Sequence, residues 1–241
     1  MSEIYKQVYS SKGYHVDLKL LRDELNEMQN IITSEYLHRI KTTYGDEYQK
    51  FKEYPIDMYH KISNNVDHNR LWPKKNRCLK KENIEIVKNF VFFNKLHEAF
   101  GDFNVTDEDN IGREEIYWRL VRPNYSEDVG PIHADSWFWE LNSPNKTNAK
   151  RVKVWMSIYC DENDTGFKYV PKSHKKKWNY SYEQKDGKMK PIPKLEGLDV
   201  KPIKFIGNPG NIIVFNDNLL HGGYVTNNKT RVSLEFTINI K

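Results

Sequence analysis

Cysteine is nearly missing: Cys78 and Cys160 are the only two among 241 residues. They stand far apart, with no C-x-x-C or similar spacing, which argues against a disulfide scaffold and against a cysteine-based zinc knuckle. Long apolar runs are missing as well. No stretch approaches 18 apolar residues, and the opening MSEIYKQVYSSKGYHV has no apolar centre of a secretory signal; the expectation is a chain with no membrane span, kept in a reducing cytoplasm. An excess of one charge is also lacking. The 38 Lys and Arg against 33 Asp and Glu leave a formal net charge of +5, which mildly favours an anionic partner and by itself predicts no nucleic-acid binding. No internal repeat is visible. What the chain does have is rings: 15 Tyr, 11 Phe and 6 Trp within a globular composition of 38% hydrophobic and 29% charged residues. The length suits one large domain, 1–241.

Periodicity divides that domain. Residues 1–113 are expected to be mainly helical support. Leu18, Leu21, Leu25, Met28, Ile31 and Ile32 recur at three- and four-residue intervals after Asp17, a candidate cap, and the pattern runs on to Ile40. A second helical segment spans Glu47 to Ile62, divided by Pro55. In a third, Ile84, Val87, Phe90, Val91 and Leu96 form an apolar stripe that Gly101 stops. Residues 114–241 change to strand period. EIYWRLVRP (115–123), RVKVWMSIYC (151–160), KPIKFI (201–206), NIIVFN (211–216) and RVSLEFTINI (231–240) read as strands, the second apolar on both faces and therefore central. TGFKYVPKSHKKKW (165–178) is a short strand running into a basic loop, and residues 181–197 are a charged surface lid or excursion. Helices first and short strands afterwards predict a mostly β fold, its sheet folded on itself and backed by N-terminal helices.

One short stretch carries chemistry. In GPIHADSWFWELN (130–142), His133 and Asp135 are two apart, so an extended chain would point both the same way. A further histidine, His221, follows an apolar strand and precedes Gly222 and Gly223, which keep the backbone slim where something approaches. Two imidazoles and a carboxylate fit one face of an octahedral iron(II), leaving the other positions for small molecules. H-x-D with a distant histidine is weak by itself. Arg231 strengthens it: a guanidinium grips a carboxylate through paired charged hydrogen bonds, and Ser233, on the same strand face, can add a third.

With these residues in place the chain resembles the iron(II)- and 2-oxoglutarate-dependent dioxygenases, specifically the phytanoyl-CoA dioxygenase-like branch. HAD (133–135), PKSHK (171–175), NPGNIIVFNDNLLHGG (208–223) and TRVSLEF (230–236) carry the resemblance, which covers the half from Glu114 onward. It implies a double-stranded β-helix, the cupin-like jelly roll. It further implies iron held by His133, Asp135 and His221, and 2-oxoglutarate gripped by Arg231 and Ser233. With O2 as the other cosubstrate, the implied outcome is hydroxylation with release of succinate and CO2. The family usually reads Pro-Gly-Ser-His where this chain has Lys172 in place of the glycine. Related halogenases lack the carboxylate, so Asp135 favours hydroxylation.

The substrate is less legible. Trp137, sharing the Asp135 side of an extended segment, would line the cavity or pack in the core; Tyr117 and Arg119, on one face of the strand before His133, would meet substrate or pair internally. Lys172, Lys175, Lys176 and Lys177 read as a solvated loop or as a contact for an anionic substrate, His174 as a support for the turn, and Trp155 as core. A small polar metabolite, sugar-related or anionic, is the expected substrate, and the oligomeric state is left open. Two alternatives stand beside this reading: a non-catalytic cupin-like binding protein, and a metal-dependent sugar isomerase-like cupin, which would have no need of Arg231.

Overall fold

In residues 231–240 alternation sets the architecture. Val232, Leu234, Phe236 and Ile238 enter a large apolar core, while Arg231, Ser233, Glu235 and Thr237 point to the opposite face. The computed structural model describes residues 2–143, 149–185 and 187–241. Its helices are α1 (Glu3–Lys6), α2 (Arg22–Thr43), α3 (Tyr48–Glu53), α4 (His68–Leu71), α5 (Lys81–Lys88), α6 (Val91–Phe100) and α7 (Asp135–Asn142). Its strands are β1 (Tyr14–Lys19), β2 (Phe103–Val105), β3 (Tyr117–Val121), β4 (Lys150–Tyr159), β5 (Phe167–Tyr169), β6 (Tyr180–Lys185), β7 (Lys188–Pro193), β8 (Ile203–Lys204), β9 (Asn211–Asn216), β10 (His221–Gly223) and β11 (Arg231–Ile240).

The larger sheet runs β1-β9-β4-β11-β2, with β3 also pairing β11, and every pairing is antiparallel. The smaller sheet runs β10-β5-β8, and the hairpin β6–β7 stands apart. Together the two sheets make the jelly roll. One face of the larger sheet supplies Val152, Val154, Met156, Ile212 and Val214 to the same core as Met28, Ile32 and Phe92 from the helices. There Phe93 stacks on Phe236 with centroids 5.3 Å apart. Burying each such side chain contributes about 1.5–3 kcal/mol, so the helical half is fused to the sheet. The other face supplies Trp155, Ile213 and Phe215 to a second cluster with Phe167 and Tyr169 of β5. Polar side chains share this inner face, and the site is built from them.

Three sequence expectations are corrected. Leu18 belongs to no helix: YHVDLK forms β1 at the edge of the larger sheet, and α2 begins at Arg22, where Glu24 closes the first turn by accepting the Leu21 N–H at 2.8 Å. Asp17 is therefore not its cap. The stripe from Ile84 to Leu96 is two helices, because Asn89 and Phe90 break it and the Val91 N–H turns to the Glu24 carboxylate. Strands β1 and β2, unforeseen in the helical half, join the sheet through antiparallel pairing with β9 and β11, β1 with a bulge between His15 and Leu18.

Candidate functional site

The third of those corrections has its counterpart at the centre of the chemistry: GPIHADSWFWELN is not extended throughout. Ala134 is the last extended residue, and Asp135 opens α7. An acid in the first turn meets the positive end of the helix, and the Ser136 N–H is anchored on the Asp217 carbonyl at 2.9 Å. His133 and Asp135 converge because the chain turns between them, whereas the alternation argument paired them on an extended chain.

His133 and His221 are backbone partners. Each donates its N–H to the other's carbonyl, at 2.9 and 2.8 Å, which joins the segment before α7 to β10. The Leu220 N–H beside them is held by Ser173 Oγ at 2.8 Å, so the turn after β5 fixes the approach to His221. Lys172 within that turn adopts φ 63°, the left-handed conformation that glycine ordinarily supplies. Its N–H donates to the Lys12 carbonyl at 2.8 Å, and the turn keeps its shape with lysine. His174 packs over Gly13 in support, as expected.

The ligand atoms of His133, Asp135 and His221 lie within 4.8 Å of one another. Asp135 Oδ1 is 3.5 Å from His133 Nε2 and 3.7 Å from His221 Nε2. Both imidazoles turn Nδ1 to a carbonyl, of Pro131 and Leu219 respectively, each at 2.9 Å. A carbonyl only accepts, so Nδ1 carries the proton and Nε2 offers its lone pair to the shared space. Burial pushes the His221 imidazole down to about 4, against the opposing pull of Asp135. Burial drives the Asp135 carboxyl up, yet Lys153, His221 and His133 outweigh it and hold the acid well below the carboxylate range. Two neutral nitrogens and an anionic oxygen suit a divalent transition metal, and three donors leave its shell open.

Arg231 and Ser233 lie on the inner face of β11, both buried. Arg231 Nη1 donates to the Gly166 carbonyl at 3.1 Å, and its guanidinium lies 5.8 Å from the Trp155 ring. Its Nε and Nη2 and the hydroxyl of Ser233 have no hydrogen-bond partner among the described residues. Buried donors left unpaired are costly; the two on the guanidinium form a fork that matches the two oxygens of a carboxylate, and Ser233 stands two residues on along the same strand face. The glycines after His221 admit the protein's own parts: a β-carbon on Gly223 would stand 3.2 Å from Arg231 Nη2.

The remaining predicted residues divide. Arg119 faces inward opposite Ser233 in register and is half-buried. Tyr117 is buried, its hydroxyl donating to Glu115 and Asp109. Trp137 enters an apolar cluster with Ala134, Val170 and Leu220 and stacks on Tyr180 at 4.9 Å. The helical turn instead places Phe138 against the His133 imidazole, edge-on at 5.4 Å and 38% exposed. Lys175, Lys176 and Lys177 are exposed. Sequence reasoning missed Lys153 and Glu108. A lysine within an apolar central strand was the available signal. Lys153 Nζ lies 3.9 Å from Asp135 Oδ2 and 3.3 Å from Glu108 Oε1.

Comparison with known proteins bears on this arrangement. The sequence matches the PhyH family, phytanoyl-CoA dioxygenase, over residues 26–233. No curated protein matches it in sequence. Solved structures share the fold at low identity. EctD from S. alaskensis, with 2-oxoglutarate and 5-hydroxyectoine, is 12% identical with a TM-score of 0.60, over 100% of this chain and 76% of that one. EvdO2 from Micromonospora carbonacea var. aurantiaca, complexed with 2-oxoglutarate, is 10% identical with a TM-score of 0.59, over 100% and 91%. AviO1 from Streptomyces viridochromogenes is 13% identical with a TM-score of 0.57, over 98% and 93%.

Proposed function

The chain belongs to the phytanoyl-CoA dioxygenase family, and from that premise we propose that it is an iron(II)- and 2-oxoglutarate-dependent oxygenase in which His133, Asp135 and His221 hold the metal. The reading is carried by the unpaired, buried donors of Arg231 and Ser233 on the inner face of β11, together with the metal-competent His-Asp-His cluster that the start of α7 and β10 bring together. They supply what a 2-oxo diacid needs, a grip on its far carboxylate while its near end reaches the metal. When bound, iron(II) with 2-oxoglutarate and O2 supplies the oxidising power for hydroxylating a substrate carbon, with succinate and CO2 released.

The chain's own residues do the rest. The Pro131 and Leu219 carbonyls fix the tautomer of each imidazole, so both present Nε2 without a proton to displace. Phe167 and Phe215 pack on the His221 ring, at 5.6 and 4.6 Å, and keep water from that side. Phe138, exposed and edge-on to His133, offers an apolar surface for substrate beside the metal. The substrate we propose is a small polar metabolite, sugar-related or anionic, that settles between this ring and the polar side chains of β3 and β4, with Arg119 as a cationic contact. A sugar isomerase-like cupin would leave Arg231 without a purpose, and a non-catalytic binding protein would not need the open metal shell.

Anaerobic addition of 2-oxoglutarate to the iron(II)-loaded protein is expected to raise visible charge-transfer absorption, and admitting air to yield succinate that candidate metabolites accelerate. Absence of both the absorption and the succinate, with iron bound, would refute the assignment. Asp135→Ala is expected to retain its fold, bind iron weakly and form no succinate; wild-type behaviour in that variant would remove Asp135 from the metal.

A further inference from the structure

Asp135 uses its two oxygens unequally. Oδ1 faces both imidazoles. Oδ2 is buried and accepts no hydrogen bond among the described residues, and Lys153 Nζ lies 3.9 Å from it. Lys153 is itself inside the protein, 8% exposed, on the inner face of β4. A buried ammonium is disfavoured unless anions surround it, and the fold goes to some length to provide them. Glu108, carried in by the loop between β2 and β3, lies 3.3 Å from Nζ. That carboxylate is fixed in turn by the Thr237 hydroxyl at 2.7 Å and by Lys74 at 3.1 Å. Lys74 continues to Asp109 at 3.2 Å, and Asp109 to Lys188 on β7. The charges thus alternate from Asp135 out to the hairpin.

We propose that Lys153 is a positioning residue that keeps Asp135 a one-oxygen ligand: by holding Oδ2 in its field it denies the metal the second oxygen. The inference rests on the metal reading above. A carboxylate beside a divalent cation binds through one oxygen or through both, and the choice falls to whatever else attracts the free oxygen. Here that is Lys153, pinned at the right place by Glu108. Without it, the metal would draw Oδ2 unopposed by this ammonium. A carboxylate bound through both oxygens would fill one of the positions that a chelating cosubstrate needs.

Manganese(II) gives a readout without turnover, because the paramagnetic relaxation of water protons counts water molecules on the metal. Three protein donors on an octahedral ion leave three positions, so loss of one water in Lys153→Met is expected to lower the bound-ion relaxivity by about one third. The same variant is expected to bind manganese(II) more tightly, having lost a neighbouring positive charge, and 2-oxoglutarate more weakly. Lys153→Arg, which restores the cation, should return relaxivity to the wild-type value. Should Lys153→Met not fold, the double variant Lys153→Met/Glu108→Gln, which removes both partners of the buried pair, gives the same reading. Manganese-loaded variants with unchanged relaxivity would overturn the inference while leaving the metal site standing. Wild-type protein that binds no manganese(II), or binds it no better than Asp135→Ala does, would instead overturn the metal reading itself.

Discussion

A β-carbon on Gly166 would stand 2.6 Å from Cδ of Arg231. The two residues, 65 positions apart, fit together because one has no side chain, and Gly166 also accepts from the guanidinium it makes room for. Its φ of +69° adds a second demand for glycine. Gly166→Ala is therefore expected to fold with a penalty of about 1–2 kcal/mol from the left-handed conformation and to displace the Arg231 side chain. Calorimetry on the metal-loaded variant should show 2-oxoglutarate affinity down by about tenfold or more, the equivalent of about 1.4 kcal/mol, with metal affinity retained. Wild-type affinity for the diacid would place its anchor elsewhere.

Arg231→Ala and Arg231→Lys separate charge from geometry. Alanine removes the anchor, and a buried charged contact of this kind is worth about 2–5 kcal/mol. Lysine keeps the charge but cannot present two parallel N–H groups, so it is expected to recover only part of the affinity for 2-oxoglutarate. Full recovery by lysine would mean that charge alone holds the diacid.

The neighbours Trp137 and Phe138 are expected to respond oppositely. Trp137 is 4% exposed within an apolar cluster, and truncation to alanine should cost about 3–5 kcal/mol of stability. Phe138→Ala should shift the thermal midpoint little and raise KM for substrate. Denaturant melts and steady-state kinetics on both variants check the pair. A large stability loss in Phe138→Ala, with KM unmoved, would return that ring to a packing role.

Burial raises the Asp217 carboxyl from 3.8 to about 7, although Arg151 lies 3.5 Å away and pulls the other way. The folded protein thus holds a proton that the unfolded chain releases. The stability tied to that proton is complete below about pH 3.8 and is lost as pH rises through about 7. Asp217→Asn has no proton to lose, so its thermal midpoint relative to wild type should rise between pH 5 and pH 8. A relative midpoint that falls over the same interval would show that the ionised carboxylate is preferred at this position.

The fold was largely legible in the strands of the second half, where alternation and turn residues agree. β4, β9 and β11 coincide with predicted stretches because one face of each must be apolar. β1 was not legible, since Leu18 and Leu21 fit a helical period as well as they fit a strand and a turn, and the pairing with β9 that decides between them is remote in sequence. The metal candidates and Arg231 were legible as residue types at telling positions. Gly166, which makes room for Arg231, and the Lys153–Glu108 pair were not, because each acquires its meaning from a partner on another element. The exposure of Phe138 beside the His133 ring was not legible for one local reason: a chain read as extended turns into a helix at Asp135.

β11 pairs with β4 along one edge and with β3 and β2 along the other, and it carries Arg231 and Ser233. In chain order it also follows β2, β3 and β4, the three strands it pairs with. During vectorial synthesis β2, β3 and one edge of β4 wait for it with their hydrogen bonds unmade, and such edges invite pairing with other chains. The larger sheet is thus committed to late closure: Arg231 and the strand that bridges β4 to β2 and β3 emerge together, after all three of those partners.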